Sequence, residues 1–367
     1  AALGATTTAL DAGMWFLASE FAAFVVFAGV WGAASDAAGR RVPFIVAGAL
    51  GGAVGYLLLA ALPALAAPEF GHVLVLRAAQ GAATIGAFSL SMTMLMDLPS
   101  GHGRNMGAAG IAIGLGTAVG APVGGRLTAV DPLAPLYVAA GALLVAAATT
   151  LAVGDRAPDP DRAGPGDVLR RLAARPALGL PYAFGFIDRL SAGFFALVGV
   201  VYFQQVFGLD AAATGLVLAL FFAPFALLQY PFGVLSDRVG RTAPVVAGSA
   251  LYGLAVVAVG LAPTFVLAAG LMVVVGVLGA LMAPATMALV TDLAAPGERG
   301  TAMGGFNVFG SVGFLAGIVV GGTVASRFGF LAAFAAVGGV ELGLALVALP
   351  FLLRLDVDAT ATFARGG

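Results

Sequence analysis

Five charged side chains, Glu20, Arg77, Asp188, Arg189 and Glu341, stand inside long apolar stretches of this chain. A charge near the centre of a hydrocarbon layer costs upwards of about 2.5 kcal/mol, so each one needs a reason. Three acids against two arginines leave one carboxylate without an obvious cation. Such a group can take up and release a proton near neutral pH, which is the requirement for coupling work to a proton gradient. Each residue also has a bland reading. Glu20 and Arg77 can simply tie two helices together, and Asp188 with Arg189 can brace a single helix. Glu341 suits a buried structural pair or an interface role.

The elements that must hold these charges are membrane spans. The 367 residues are 61% hydrophobic and 10% charged, too few charges to cover a soluble protein of this size. Apolar runs near the length of a bilayer-crossing helix recur throughout. They predict eleven spans at about 13–31, 42–62, 72–96, 105–126, 133–153, 177–203, 211–233, 243–262, 265–290, 301–325 and 330–353. A net charge of −1 gives no reason to expect a nucleic-acid partner. Cysteine is absent, which excludes disulfides and thiol chemistry. No Walker sequence, GxSxG or HExxH occurs, so no enzyme activity, cofactor or metal ion is expected.

Two short polar stretches break the apolar pattern in the same way. Gly32-Ala33-Ala34-Ser35-Asp36-Ala37-Ala38-Gly39-Arg40-Arg41 returns as Gly233-Val234-Leu235-Ser236-Asp237-Arg238-Val239-Gly240-Arg241-Thr242. Asp237 lies 201 positions after Asp36, and Arg241 the same distance after Arg40. Asp97 and Arg104 lie 195 positions before Asp292 and Arg299, and Gly124-Gly125 lies 197 before Gly321-Gly322. A period this long marks two bundle-forming halves.

The doubled pattern G-x-x-S-D-x-x-G-R-[RT] resembles the signature loop of the major facilitator superfamily, which joins the second to the third helix and the eighth to the ninth. Arg77-Ala78-Ala79-Gln80-Gly81 resembles the R-x-x-Q-G motif in the fourth helix of that family's drug exporters, whose arginine is associated with proton transfer. Gly107, Gly116, Gly120, Pro122, Gly124 and Gly125 resemble the antiporter motif of the fifth helix, with the proline displaced by one. General small-residue packing is the rival reading in a chain with 54 glycines. By this resemblance the eleven spans are helices two to twelve of twelve, with the first missing from this chain.

The resemblance implies an all-α membrane protein of two pseudo-symmetric bundles: residues 1–153, a cytoplasmic linker at 154–176, a second bundle at 177–353 and a cytoplasmic tail at 354–367. Arginines concentrate on one side of the predicted spans, which places the Asp36 turn inside, the N-terminus outside and the C-terminus inside. It also implies a monomer in the cytoplasmic membrane of a prokaryote, moving a small-molecule substrate through the lipid bilayer by alternating access. Proton-coupled export of a small apolar or drug-like compound is the favoured activity. Glu20, Arg77, Gln80, Asp188, Arg189 and Glu341 are the candidates for proton coupling and the cavity. Phe184, Phe186, Phe194, Phe195, Tyr202, Phe221, Phe222, Phe225 and Tyr230 are expected on the cavity walls. Asp36 and Asp237, with Gly39, Gly240 and the flanking arginines, are expected to gate the cytoplasmic side by meeting the helix starts near Thr301 and Asn105. Two other readings stay open: uptake of a sugar or other metabolite with protons, and a membrane receptor or scaffold that transports nothing.

Overall fold

The computed structural model describes residues 8–65, 69–96, 102–155, 176–294 and 299–364. Eleven helices among them are long and apolar enough to cross a membrane, and no strand occurs there. In chain order these are α1 (Ala9–Ala38), α2 (Val42–Leu65), α3 (Phe70–Met96), α4 (His102–Val130), α5 (Ala134–Leu151) and α6 (Pro176–Phe207). They are followed by α7 (Ala211–Val239), α8 (Thr242–Leu261), α9 (Phe265–Leu293), α10 (Arg299–Phe328) and α11 (Phe330–Ala364). In α6 a π-helical turn, Phe195–Gly199, interrupts the α-helix.

Helix starts follow local chemistry. Thr8 and Asp210 turn side-chain oxygens onto the free N–H groups of Asp11 and Ala213, at 3.2 and 2.7 Å. Several helices run further than their apolar cores. The first was expected to stop at Trp31, yet α1 continues to Ala38, and α7 continues to Val239 instead of 233. Nothing in either polar segment breaks a helix until Gly39 and Gly240, which hold φ of 60° and 87°, a region that favours glycine; Gly39 closes α1 as a left-handed cap, and Gly240 ends α7 in a more extended conformation. The ten-residue polar turns are therefore mostly helical, and the true connections are Gly39–Arg41 and Gly240–Arg241. The helix of α11 likewise runs to Ala364, through most of the stretch assigned to a tail. The linker assigned to 154–176 lies outside the described residues from 156 to 175.

Packing repeats across the two halves. In the first half α1 and α2 pack on α3, and α2 on α5; in the second, α7 and α8 pack on α9, and α8 on α11. The second half holds one more seam, α6 against α10. There a Cβ at Gly313 or Gly317 would collide with the carbonyl of Phe186 or Leu190, so the two backbones touch. Among the described residues the halves are joined by α4 with α7 along most of their length, by α1 with α10 and, more narrowly, by α1 with the π turn of α6.

The aromatic residues expected on cavity walls mostly lie elsewhere. Phe184, Phe194, Phe195, Tyr202 and Phe221 are buried, and Phe194, Phe195 and Tyr202 gather edge-on around Phe334 inside the second half. Tyr230 is exposed. Their spacing on amphipathic-looking helices did not distinguish a wall from a core, and the core took the largest rings. Trp31 donates its indole N–H to the Ala82 carbonyl at 2.6 Å, over the space left by Gly86.

Candidate functional site

The first polar centre is built by α1, α2 and α3. Glu20 and Arg77 form a buried ion pair across α1 and α3. Arg77 also donates to Gln80 Oε1 at 2.7 Å, and Gln80 donates onward to Thr84 at 2.7 Å. The guanidinium lies between the rings of Phe16 and Tyr56, 4.5 and 5.3 Å from their centroids. Arg77, Gln80 and Gly81 of the Arg77–Gly81 motif each have a physical reason. Arg77 and Gln80 face the same way at a three-residue spacing. Gly81 leaves room for the backbone of α1 at Glu20, where a Cβ would be too close. Gly55 on α2 does the same for the Gln80 side chain.

The second centre lies between α6, α8 and α11, and its Glu341 carboxyl meets no arginine among the described residues. Glu341 is fully buried. Its Oε1 accepts from the Ser249 hydroxyl at 2.5 Å and its Oε2 from the Ser191 hydroxyl at 3.3 Å. Gly253 and Gly338 bring α8 and α11 into backbone contact beside it. Asp188 stands one turn before Ser191, its side chain 18% exposed, with Arg189 Nε 3.8 Å away. Arg189 itself is 47% exposed, so it braces Asp188 loosely. The structural ion pair expected for Glu341 is thus not what the described residues form; two serines hold it. Ser191 and Ser249 carry no motif, and only the fold reveals their part.

The twin turns repeat a third arrangement. Arg41 pairs with Asp36 and also donates to Ser35 at 3.0 Å. Arg241 pairs with Asp237 at 2.5 Å and donates to Ser236 at 2.7 Å. The sequence repeat sets Arg241 against Arg40, but Arg41 does its work and Arg40 is exposed. The first turn is one residue longer, so the arginine just before each following helix is the equivalent one. Each turn is tied further into its own half. Asp155, beyond α5, accepts the N–H groups of Arg41 and Val42 at 3.0 and 3.1 Å, capping α2. Asp292 takes Arg241 Nε at 3.0 Å. Burial opposes the charge on Arg241, but bonds to Asp237 and Asp292 outweigh it and raise its pKa. Arg238 is exposed, and a Cβ at Gly32 would meet nothing. At Gly233 it would find only ordinary contact with Pro284. The side chains of Thr301 and Asn105, the expected partners of Asp36 and Asp237, lie outside the described residues.

Of the antiporter-type glycines on α4, Gly125 packs on the Ala211 carbonyl of α7, while Gly116, Gly120 and Gly124 face open space. Close packing on α7 instead uses Gly114 and Gly110, against Ala226 and Gln229. Gly215 of α7 answers from the other side, against Ala121 and Pro122. The side chain position of Gly107 lies outside the described residues.

Between the halves, the contacts of α1 with the second half fall on its first part. Gly13 meets Leu197, Met14 meets Gly322 and Phe21 stacks on Phe314 at 4.2 Å. Asp36 lies fifteen residues further on, roughly 22 Å along the helix. Val26, Phe27 and Val30 on that part of α1 are exposed, as are Val308, Phe309 and Val312 on α10.

The sequence model of the Major Facilitator Superfamily matches residues 2–202 and 182–365 of this chain. The class G tetracycline resistance protein of Vibrio anguillarum is 28% identical over 348 residues, spanning 90% of this chain and 84% of that protein. Among solved structures, the human organic anion transporter MFSD10 superposes with a TM-score of 0.67 at 22% identity, over 92% of this chain and 83% of that one. The nucleoside transporter NupG superposes with a TM-score of 0.69 at 14% identity, over 92% and 91%.

Proposed function

This chain belongs to the Major Facilitator Superfamily, and we propose that within it the protein is a proton-coupled exporter of small apolar or drug-like compounds. The observation that carries this reading is the similarity to a tetracycline resistance protein along nearly the whole chain. Buried charges in both halves support the proton coupling, because a membrane protein retains them where ions or protons move.

In this reading the bundles 1–153 and 177–353 rock about the substrate, joined by the linker 154–176. The twin turns face the cytoplasm, as the arginine distribution suggests. Contact between α1 and α10 at the end opposite the turns fits a state open toward the turns. In the opposite state Asp36 and Asp237 latch onto helix starts of the other half. The Glu20–Arg77 pair holds the first half rigid while the second changes.

The test uses everted membrane vesicles carrying the protein, with tetracycline as the probe. Accumulation driven by a pH gradient, and abolished by a protonophore, is the expected result. Accumulation that ignores the gradient removes the coupling, and none in either condition removes this substrate class. The chain lacks cysteine, so Ala37→Cys gives a single label site for the orientation. Labelling by an impermeant maleimide only in everted vesicles is expected, and labelling from the outside of cells inverts the topology.

A further inference from the structure

Glu341 has two protonation states that the fold can satisfy equally, which distinguishes it from the other buried charges. As an anion it accepts from both serines. As a neutral acid it donates one O–H to a serine, whose own hydroxyl proton can turn to its helix carbonyl four residues back. The exchange needs only hydroxyl rotation, because Ser191 and Ser249 both donate and accept. Glu20 has no such freedom: its partner Arg77 is a fixed cation that does not give up its proton.

The surroundings of Glu341 narrow its role. From α8 come Ser249 and the buried phenol of Tyr252, and from α6 come Ser191 and Asp188. The charge of Arg189 is turned outward. Of the charged residues of α10, Arg327 sits in its last turn, and the side chain of Arg299 at its start lies outside the described residues. Asp188 lies on the same face of α6 as Ser191 and keeps part of its side chain exposed, so it stands between the buried carboxyl and the outside of the helix packing. Tyr252 is fully buried on α8, one turn beyond Ser249 and on the same side of that helix. Ser191 thus links the buried carboxyl of Glu341 to the face of α6 that also carries Asp188, with Tyr252 buried on the neighbouring helix.

We propose that Glu341 is the site that binds the transported proton, loaded through Asp188, and that its proton state reaches the rest of the molecule through α6. Ser191 is the contact by which α6 senses the change. One turn beyond Ser191, α6 carries the π turn Phe195–Gly199, whose Leu197 faces α1 of the other half at Gly13. A proton gained or lost at Glu341 therefore acts one helix away from the interface between the halves. This rests on the proton-coupled reading above, but its direct test does not need a substrate.

Infrared titration of the purified protein in lipid nanodiscs reads protonated carboxyl groups through their C=O stretch. The expected result is a neutral-acid band that disappears as pH rises, is lost in Glu341→Gln, is shifted in Ser249→Ala and survives in Glu20→Gln. A band unchanged in Glu341→Gln, or no titrating band in the parent protein, overturns the proposal. In vesicles that move tetracycline, Glu341→Gln should keep exchange of labelled for unlabelled compound and lose accumulation driven by the gradient. Accumulation retained in full by that variant would also overturn it. If the parent protein moves no tetracycline, the substrate reading fails and the infrared result alone decides the proton site.

Discussion

The two halves share a frame and differ in the chemistry placed inside it. In the first, a carboxylate meets a guanidinium between α1 and α3; in the second, a carboxyl meets only hydroxyls between α6, α8 and α11. Counterpart positions make the difference plain. Glu20 corresponds to Phe221 at the 201-residue offset of the first turn, and Arg77 to Met272 at the 195-residue offset between α3 and α9. Across the turn the offset falls to 200, which sets Ser249 against the buried Ala49. Glu20, Arg77 and Ser249 thus each have an apolar counterpart in the other half. The turns, by contrast, carry the same Ser, Asp and Arg contacts twice. The lesson is that the two halves share the contacts of their turns and differ in where the fold places buried charge.

The largest expected effect lies in the ion pair. Arg77→Ala leaves Glu20 buried without its cation, a loss of about 3–5 kcal/mol. Glu341→Gln keeps the shape and one set of hydrogen bonds, and should cost no more than about 1.5 kcal/mol. Thermal unfolding in the same detergent compares them directly. Equal losses would erase the distinction drawn between the two centres.

A smaller effect tests the seam that one half has and the other lacks. Gly317→Ala drives a methyl group into the Leu190 carbonyl where α6 meets α10, and should cost about 1–3 kcal/mol. Gly116→Ala on α4 meets nothing and should be neutral, or stabilising by up to about 1 kcal/mol through helix propensity. Should the Gly116 variant unfold as readily as the Gly317 variant, α4 is packed on that face after all. If it is stable yet fails to transport, that glycine is needed in another conformation.

The smallest effects concern the turns. Asp155→Ala removes the acceptor for two N–H groups at the start of α2 and should cost about 1 kcal/mol. Asp36→Asn weakens a half-exposed pair with Arg41 and should cost only about 0.3 kcal/mol. Transport by the Asp36 variant that is slowed while stability is unchanged would give the turn a part in gating. Unchanged transport would leave it an anchor.

The spans were legible because apolar length is a local property, and each helix except at its ends follows from the run that forms it. The doubled turns were legible because their residues sit together in the chain. The ends of α1 and α7 were not, since a polar segment without Gly or Pro stays helical and only Gly39 and Gly240 stop it. Arg40 was set opposite Arg241, because a one-residue difference in turn length is invisible until both following helices have a starting point. The glycine motif on α4 pointed to a packed face, yet Gly116, Gly120 and Gly124 meet nothing while Gly110 and Gly114 do. Spacing along a helix defines a face and leaves open which neighbour fills it.

By itself the amino-acid order determined the number of spans, the duplication, and the handful of charges that a hydrocarbon layer would not otherwise hold. These depend on the local cost of putting polarity into lipid. Only the tertiary structure decided which charge has a cation and which does not. That outcome depends on what comes within about 3 Å from helices 57 to 150 residues away in the chain, as with Arg77 beside Glu20 and Ser191 beside Glu341. Solvation is written along the sequence, whereas partnership is settled by packing in space.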